Sequence, residues 1–186
     1  MNVVLTGFMG TGKSSVGRRL AERLALEFVD TDDLIEDAAG MSVKEIFAGL
    51  GEPRFRELEK EAIKKAVSTM DGVVLSTGGG AVVDEENRRA LKGWGTVVCL
   101  TAPVEVIVER IGPGDERPLL SGESREEAVG RLLKEREPVY GQAELVLDTG
   151  DKGIEEVAGR IESFLSGAKI AGDAAADAGD RSGKEG

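Results

Sequence analysis

Apolar residues along this chain fall in short consecutive runs separated by longer stretches of helical period. Val3-Val4-Leu5, Val73-Val74-Leu75 and Val97-Val98-Cys99-Leu100 are apolar at adjacent positions rather than alternating ones. Strands that are apolar on both faces belong to a parallel sheet covered by helices on each side. Strands are expected at 2–6, 27–29, 73–76, 96–100 and 144–148. After Lys13 the residues Val16, Leu20 and Leu24 form one helical stripe, with Arg18, Arg19, Glu22 and Arg23 mostly outside it. Helices are expected at 13–25, 31–39, 43–49, 53–69, 84–92, 103–110, 124–136 and 153–166. Strands alternating with helices predict a doubly wound α/β domain, with ligands gathered at the carboxyl ends of the strands.

Two stretches show no core-facing pattern. Residues 112–123 read as a loop with Arg117 in its middle. Residues 169–186 are low in complexity and nearly devoid of large apolar groups, too few to offset the entropy of ordering, so a disordered tail is expected there. The remaining length suits one domain with a sizeable core.

Charge and composition narrow the function. The net charge of −11 argues against nucleic acid or an anionic membrane as partner, but not against an anionic small molecule in a locally basic pocket. The one cysteine, Cys99, lies in a strand-like run, which excludes disulfides and metal–thiolate sites. No apolar stretch approaches 18 residues and the start lacks a secretory pattern, so a cytoplasmic protein is expected. Histidine is absent, so a general base must be a carboxylate, or less plausibly Lys, Tyr or Cys.

Residues 7–14 read Gly-Phe-Met-Gly-Thr-Gly-Lys-Ser, directly after the first strand and directly before a helix. This is a phosphate-binding loop in its required context. Its N–H groups and the helix N-terminus face phosphate oxygens, Lys13 reaches the β- and γ-phosphates, and the Ser14 hydroxyl suits Mg²⁺. The expected architecture is therefore a three-layer α/β/α P-loop NTPase fold with a five-stranded parallel sheet.

Three further groups carry candidate chemistry. Asp30-Thr31-Asp32-Asp33 follows the second strand, and in an extended segment Asp30 and Asp32 point to one side, one toward Mg²⁺ and the other toward an acceptor hydroxyl. Capping of the helix that continues Leu34-Ile35-Glu36 would account for one of them. Gly78-Gly79-Gly80 would let a ligand lie against the main chain, or would serve as a flexible turn. No Asp stands at Ser76 or Thr77, so Mg²⁺ falls to Ser14, phosphate oxygens and water, with Asp30 or Asp32 assisting. Arg56 lies three residues before Glu59 on one helical face, where an ion pair would orient it. Arg117 and Arg136, the latter at a helix end, gain meaning only in combination with Arg56.

In this order and spacing the chain resembles the shikimate kinases over residues 1–166. The pieces are the loop at 7–14, Phe28-Val29-Asp30-Thr31-Asp32, Gly51-Glu52 with Phe55-Arg56 and Glu59, Gly78-Gly79-Gly80, Arg117-Pro118-Leu119-Leu120, and Arg136 with Tyr140. The resemblance implies one P-loop kinase domain over 1–168, with a substrate-binding region near 33–70 and a lid at 112–123. It implies a monomer that phosphorylates the 3-hydroxyl of shikimate with ATP and Mg²⁺. Gly10, Thr11, Gly12, Lys13, Ser14 and Ser15 would bind ATP, with Arg110 and Lys152 at adenine. Ser14 and Asp30 would serve Mg²⁺. Asp32 would hold the acceptor hydroxyl as base or orienting group. Arg56 and Arg136 would grip the shikimate carboxylate, Gly78, Gly79 and Gly80 would line its site, and Arg117 would close over the phosphates. A gluconate or nucleoside monophosphate kinase, or a nucleotide-binding module without catalysis, fits these elements less well.

Overall fold

The computed structural model describes residues 1–112 and 124–167. The expected lid beyond Gly112, with Arg117, and the expected tail both lie outside the described residues. Five strands, β1 (Val3–Gly7), β2 (Glu27–Asp30), β3 (Val73–Ser76), β4 (Thr96–Thr101) and β5 (Leu145–Asp148), pair in the order β2-β3-β1-β4-β5. Every pairing is parallel, and Val4 of β1 lies opposite Leu75 on one side and Val97 on the other. Helices α1 (Lys13–Leu24), α2 (Thr31–Ala39), α3 (Val43–Thr69), α4 (Glu85–Trp94), α5 (Val104–Ile111), α6 (Arg125–Tyr140) and α7 (Ile154–Leu165) complete the three layers.

The period of two along each strand divides the core. Val4, Val73, Leu75, Val97 and Cys99 pack in one layer with Ile63 of α3, Leu91 of α4, Ile107 of α5 and Val129 of α6. Val3, Leu5, Val74, Val98 and Leu100 pack in the other with Val16 and Leu20 of α1 and Ile161 of α7. A satellite core of Ile35, Ile46, Phe55, Leu58 and Ala62 joins α2 to α3. Cys99 is buried in β4, and burial pushes its thiol up to about 12, which leaves it inert.

Three elements depart from the expectations. The stretches 43–49 and 53–69 are joined as one helix, α3, but the backbone is non-helical at Gly51 between them, with φ 79° and ψ 169°. Only glycine takes that conformation freely, so the expected division survives as a break inside the helix. Helix α6 runs past 136 to Tyr140, through Pro138. Proline there removes one backbone hydrogen bond, which burial of Tyr140 in the core outweighs. Arg136 is therefore inside a helix, not at its end. Helix α2 begins at Thr31, immediately after β2, so Asp32 is on a helix and not in an extended segment.

Glycine inside a helix normally costs about 1 kcal/mol relative to alanine. At Gly17 the sign should reverse, because a Cβ there would stand 2.5 Å from Phe28 Cε2 and 3.1 Å from Leu5 Cδ1. Gly17→Ala should destabilise the fold by about 1–3 kcal/mol. Gly130→Ala in α6, where a Cβ meets no described atom within 4 Å, should stabilise it by about 0.5–1 kcal/mol. Urea unfolding of both variants checks the pair, and equal shifts of one sign would refute the packing argument.

Candidate active site

The phosphate loop leaves β1 and ends at Gly12, the N-cap of α1, with φ 89° and no side-chain cap. A side chain that capped α1 would occupy the N–H groups an anion needs, and this φ excludes the usual capping residues. The loop is tied to itself and to a distant turn. Thr11 Oγ1 donates to the Phe8 carbonyl at 2.7 Å, and Lys13 Nζ donates to the same oxygen at 2.8 Å. Thr149 Oγ1 donates to the Thr11 carbonyl at 3.0 Å. Arg110 Nη2 donates to the Thr149 carbonyl at 2.7 Å and its Nη1 to Thr149 Oγ1 at 3.0 Å. Thr149 is buried and joins the loop to Arg110, a role the sequence gave no sign of beyond its place after a strand.

Asp30 is the N-cap of α2: its Oδ1 accepts from the Asp32 N–H at 3.1 Å. Its Oδ2 accepts from Ser14 Oγ at 2.9 Å. The capping explanation and the metal-site explanation thus fall on one carboxylate, one oxygen each. A hydroxyl beside a carboxylate is a hard oxygen pair suited to Mg²⁺, whose shell water and phosphate oxygens would complete. Among the described residues no group of three or more His, Cys, Asp or Glu side chains is placed to hold a metal ion. Asp32, the second residue of α2, lines the cavity. Thr31 between them is buried, and its Oγ1 accepts from the Gly78 N–H at 3.1 Å. That hydroxyl was legible only as part of the Asp-Thr-Asp pattern, since its partner is 47 residues away.

The expected Arg56–Glu59 pair forms, with Nη1 2.8 Å from Glu59 Oε2. Glu52 adds a second contact, its Oε1 accepting from Arg56 Nε at 3.1 Å and Nη2 at 2.9 Å. Glu59 is 1% exposed. Burial raises its carboxyl above the ordinary value, and the charge and hydrogen bond of Arg56 and the charge of Arg136 pull it only partly back. Burial pulls the Arg56 guanidinium down, but Glu59 and Glu52 outweigh it and the net direction is up.

The three glycines fit against this pair. A Cβ at Gly78 would stand 2.6 Å from Glu59 Oε1, and one at Gly80 would stand 2.6 and 2.7 Å from the two terminal nitrogens of Arg56. The space in front of the guanidinium fork is thus open only because residue 80 has no side chain. Gly78 contributes room rather than a donor, since its N–H is taken up by Thr31. Arg136 comes from α6, its guanidinium 5.4 Å over the Phe8 ring and 3.5 Å from the Cβ position of Gly79.

These groups share one cavity of about 1020 Å³. Residues 10–15 line it, with Arg110, Thr149 and Lys152 on the walls that also hold the phosphate loop and Asp32, Arg56, Glu59, Gly78, Gly79, Gly80 and Arg136 on the remainder. Lys152 pairs with Asp151 at 2.8 Å, which raises its pKa by hydrogen bond first and charge after. Of the expected site residues, all but Arg117 are described, and all of those except Asp30 line the cavity; Asp30 reaches it through Ser14. The arrangement sets a phosphate-binding loop, two guanidinium groups and a carboxylate along one cavity.

Comparison with known proteins places these features in one family. The family model described as shikimate kinase matches residues 9–166. The shikimate kinase of Geobacter metallireducens is 49% identical over 166 residues, covering 89% of this chain and 92% of that protein. That of Geobacter sulfurreducens is 50% identical over 164 residues, covering 88% and 90%. Among solved structures, shikimate kinase from Acinetobacter baumannii in complex with shikimate superposes with a TM-score of 0.85 at 38% identity, covering 89% of this chain and 93% of that one.

The raised Glu59 carboxyl has a consequence for stability. The folded state holds this proton more tightly than the unfolded chain, so stability from this group falls as pH rises from its ordinary value near 4.5 through the raised one. Glu59→Gln removes that dependence. The stability difference between variant and wild type, from urea unfolding, should move in the variant's favour as pH rises above 4.5. A difference independent of pH would show that the carboxyl is not shifted.

Proposed function

The chain belongs to the shikimate kinase family and is an ATP-dependent phosphotransferase acting on shikimate, and we propose that the acceptor is the 3-hydroxyl and that the residues of the cavity divide the work as follows. The single observation that carries this reading is the joining, in one cavity, of a phosphate-binding loop to a second anion site built from Arg56, Arg136 and the triple-glycine turn. A nucleotide alone needs only the first.

The N–H groups of the loop and of α1 hold the ATP phosphates, and Lys13 supplies charge to the β- and γ-oxygens. Ser14 and Asp30 would hold Mg²⁺, which would supply neutralising charge for the phosphates. Arg110 and Lys152 flank the adenine end. Arg56 presents its open fork above Gly80 and Arg136 approaches past Gly79, so the shikimate carboxylate meets two guanidinium groups; planar forks suit a carboxylate better than ammonium groups do. Gly79 and Gly80 offer N–H groups to the substrate's oxygens. With the carboxylate fixed, Asp32 accepts the hydrogen bond of the acceptor hydroxyl and turns its lone pair toward the γ-phosphorus. In a loose transition state that proton leaves late, so orientation is the larger part of the role of Asp32. Arg117, from a lid spanning 112–123, closes over the phosphates and excludes water. In this reading residues 33–70 form the substrate region of one kinase unit over 1–168, working as a monomer in the cytoplasm, since one chain supplies every group named. The net charge of −11 supports the absence of nucleic-acid and membrane partners.

The test is ADP release from Mg·ATP with and without shikimate, with gluconate and AMP as control acceptors. Release should appear only with shikimate; release with another acceptor instead would discard the roles of Arg56 and Arg136. Lys13→Ala should lower kcat by at least ~10³-fold. Arg136→Ala should raise the KM for shikimate by roughly 10²-fold while leaving the KM for ATP within about threefold. Equal effects on both substrates would place Arg136 on the wrong ligand.

A further inference from the structure

Tyr140 has no part in the mechanism above, yet its phenol is the point where α6 meets the substrate side of the cavity. The ring is 4% exposed, and its hydroxyl donates to the Gly79 carbonyl at 2.6 Å. Tyr140 stands four residues after Arg136 on the same helix, so both side chains project from one face. Arg136 also reaches the phenol oxygen by charge and hydrogen bond. Burial outweighs that pull and pushes the phenol up to about 12, so it keeps its proton, and remains a donor, at any working pH.

The geometry of a peptide bond turns this contact into one with consequences for the substrate. The Gly79–Gly80 peptide is trans, so the Gly79 C=O and the Gly80 N–H point in opposite directions. The Ala81 N–H donates to the Gly78 carbonyl at 3.1 Å and closes a turn around this peptide, but such a turn accommodates either orientation of its central plane when both positions are glycine. Fastening the carbonyl to Tyr140 on α6 sends the Gly80 N–H the other way, on the residue whose Cβ position faces the Arg56 fork. Among the described residues, the Gly79 and Gly80 N–H groups have no acceptor, while the Gly78 N–H has Thr31.

We propose that Tyr140 is a positioning residue: by holding the Gly79 carbonyl it aims the Gly80 N–H at an oxygen of the acceptor substrate, and it keeps Arg136 in register with that donor. The inference rests on the reading that shikimate lies between Arg56, Arg136 and the glycine turn. Tyr140 touches neither substrate. Removing its hydroxyl frees the peptide plane to rotate and leaves the nucleotide side unchanged.

Tyr140→Phe in the full chain tests this. The KM for shikimate should rise about tenfold, as expected for one lost hydrogen bond, with the KM for ATP within about twofold. A shikimate KM equal to that of the wild type overturns the proposal, and so does a parallel rise in both KM values, which a general loosening of the fold would give. A second measurement uses the wild-type protein and holds even where the variant fails to fold. In ¹⁵N-labelled enzyme titrated with shikimate, the Gly80 amide resonance should shift and its hydrogen exchange should slow. A Gly80 amide that ignores saturating shikimate overturns the proposal. Absence of any shikimate-dependent ADP release by the wild-type enzyme would bring down the underlying reading and this inference with it. Normal wild-type turnover beside an unchanged Tyr140→Phe variant overturns this inference alone.

Discussion

A carboxylate taken almost wholly out of water, Glu59, sets the terms for the acceptor side of this molecule. A buried charge is costly unless a counter-charge stands against it. Arg56 meets that need from one turn earlier on α3, with Glu52 holding its far edge. Once this pair is in place, neighbouring choices are constrained. The turn after β3 must pass so close that side chains at 78 and 80 would collide with it. The cation cannot swing into solvent, because Glu59 holds one edge, Glu52 another, and its guanidinium lies 5.2 Å from the Phe55 ring centroid. What remains open is the end of the fork in front of Gly80. A charge fixed in this way loses little entropy when a second anion arrives. A buried ion pair need not stabilise a fold, and the value of this one lies in aiming a guanidinium.

The sheet explains why this charge pair and the phosphate loop share a cavity. In the order β2-β3-β1-β4-β5 the chain passes from β1 to the edge at β2, returns to place β3 between them, and then crosses to β4 and β5 on the other side. The loops leaving β1, β2 and β3 therefore emerge side by side at one end of three adjacent strands. They carry, in turn, the phosphate loop, Asp30 with Asp32, and the triple-glycine turn. The loops after β2 and β3 are tied by the Gly78–Thr31 hydrogen bond, and Ser14 of α1 is tied to Asp30. These contacts cross between elements far apart in sequence, so local melting of one loop would disturb the others.

Much of this was readable from residues alone, and the exceptions share a cause. Short apolar runs gave all five strands to within a residue or so, most clearly β1, β3 and β4, where burial on both faces leaves a pattern of its own. The loop at 7–14 was readable because glycine and lysine spacing there follows directly from phosphate geometry. Arg56 and Glu59 were paired from helical spacing, a local rule. Thr31 and Thr149 were not assigned their bridging roles, since a threonine's partner across 47 or 138 residues has no local signature. The backbone conformation at Asp32 was misjudged because β2 passes into α2 with no linking residue, so helix replaces the alternation of a strand, while Asp32 still lines the cavity. The end of α6 was placed short because Pro138 marks a stop by local preference, which the burial of Tyr140 overrides.

The distribution of helix caps separates structural termini from functional ones. Helices α2, α3, α4 and α6 begin at Asp30, Ser42, Asp84 and Ser124, each with a side chain accepting from the first turn. Such a cap contributes about 1 kcal/mol. Helices α1 and α7 begin instead at Gly12 and Gly153, which have no side chain to give, and both glycines line the cavity. Helix α5, capped by Pro103, is the remaining one without a side-chain cap among the described residues. Two of the three uncapped termini thus line the cavity. The same withholding recurs in the glycine turn, where Gly78 gives its N–H to Thr31 and the next two give theirs to none of the described residues. Unsatisfied donors are ordinarily a defect in a folded chain. Here the glycine-capped helix ends and the glycine turn line one cavity, so a ligand accepting from them would stabilise the fold at the places where it forgoes caps of its own.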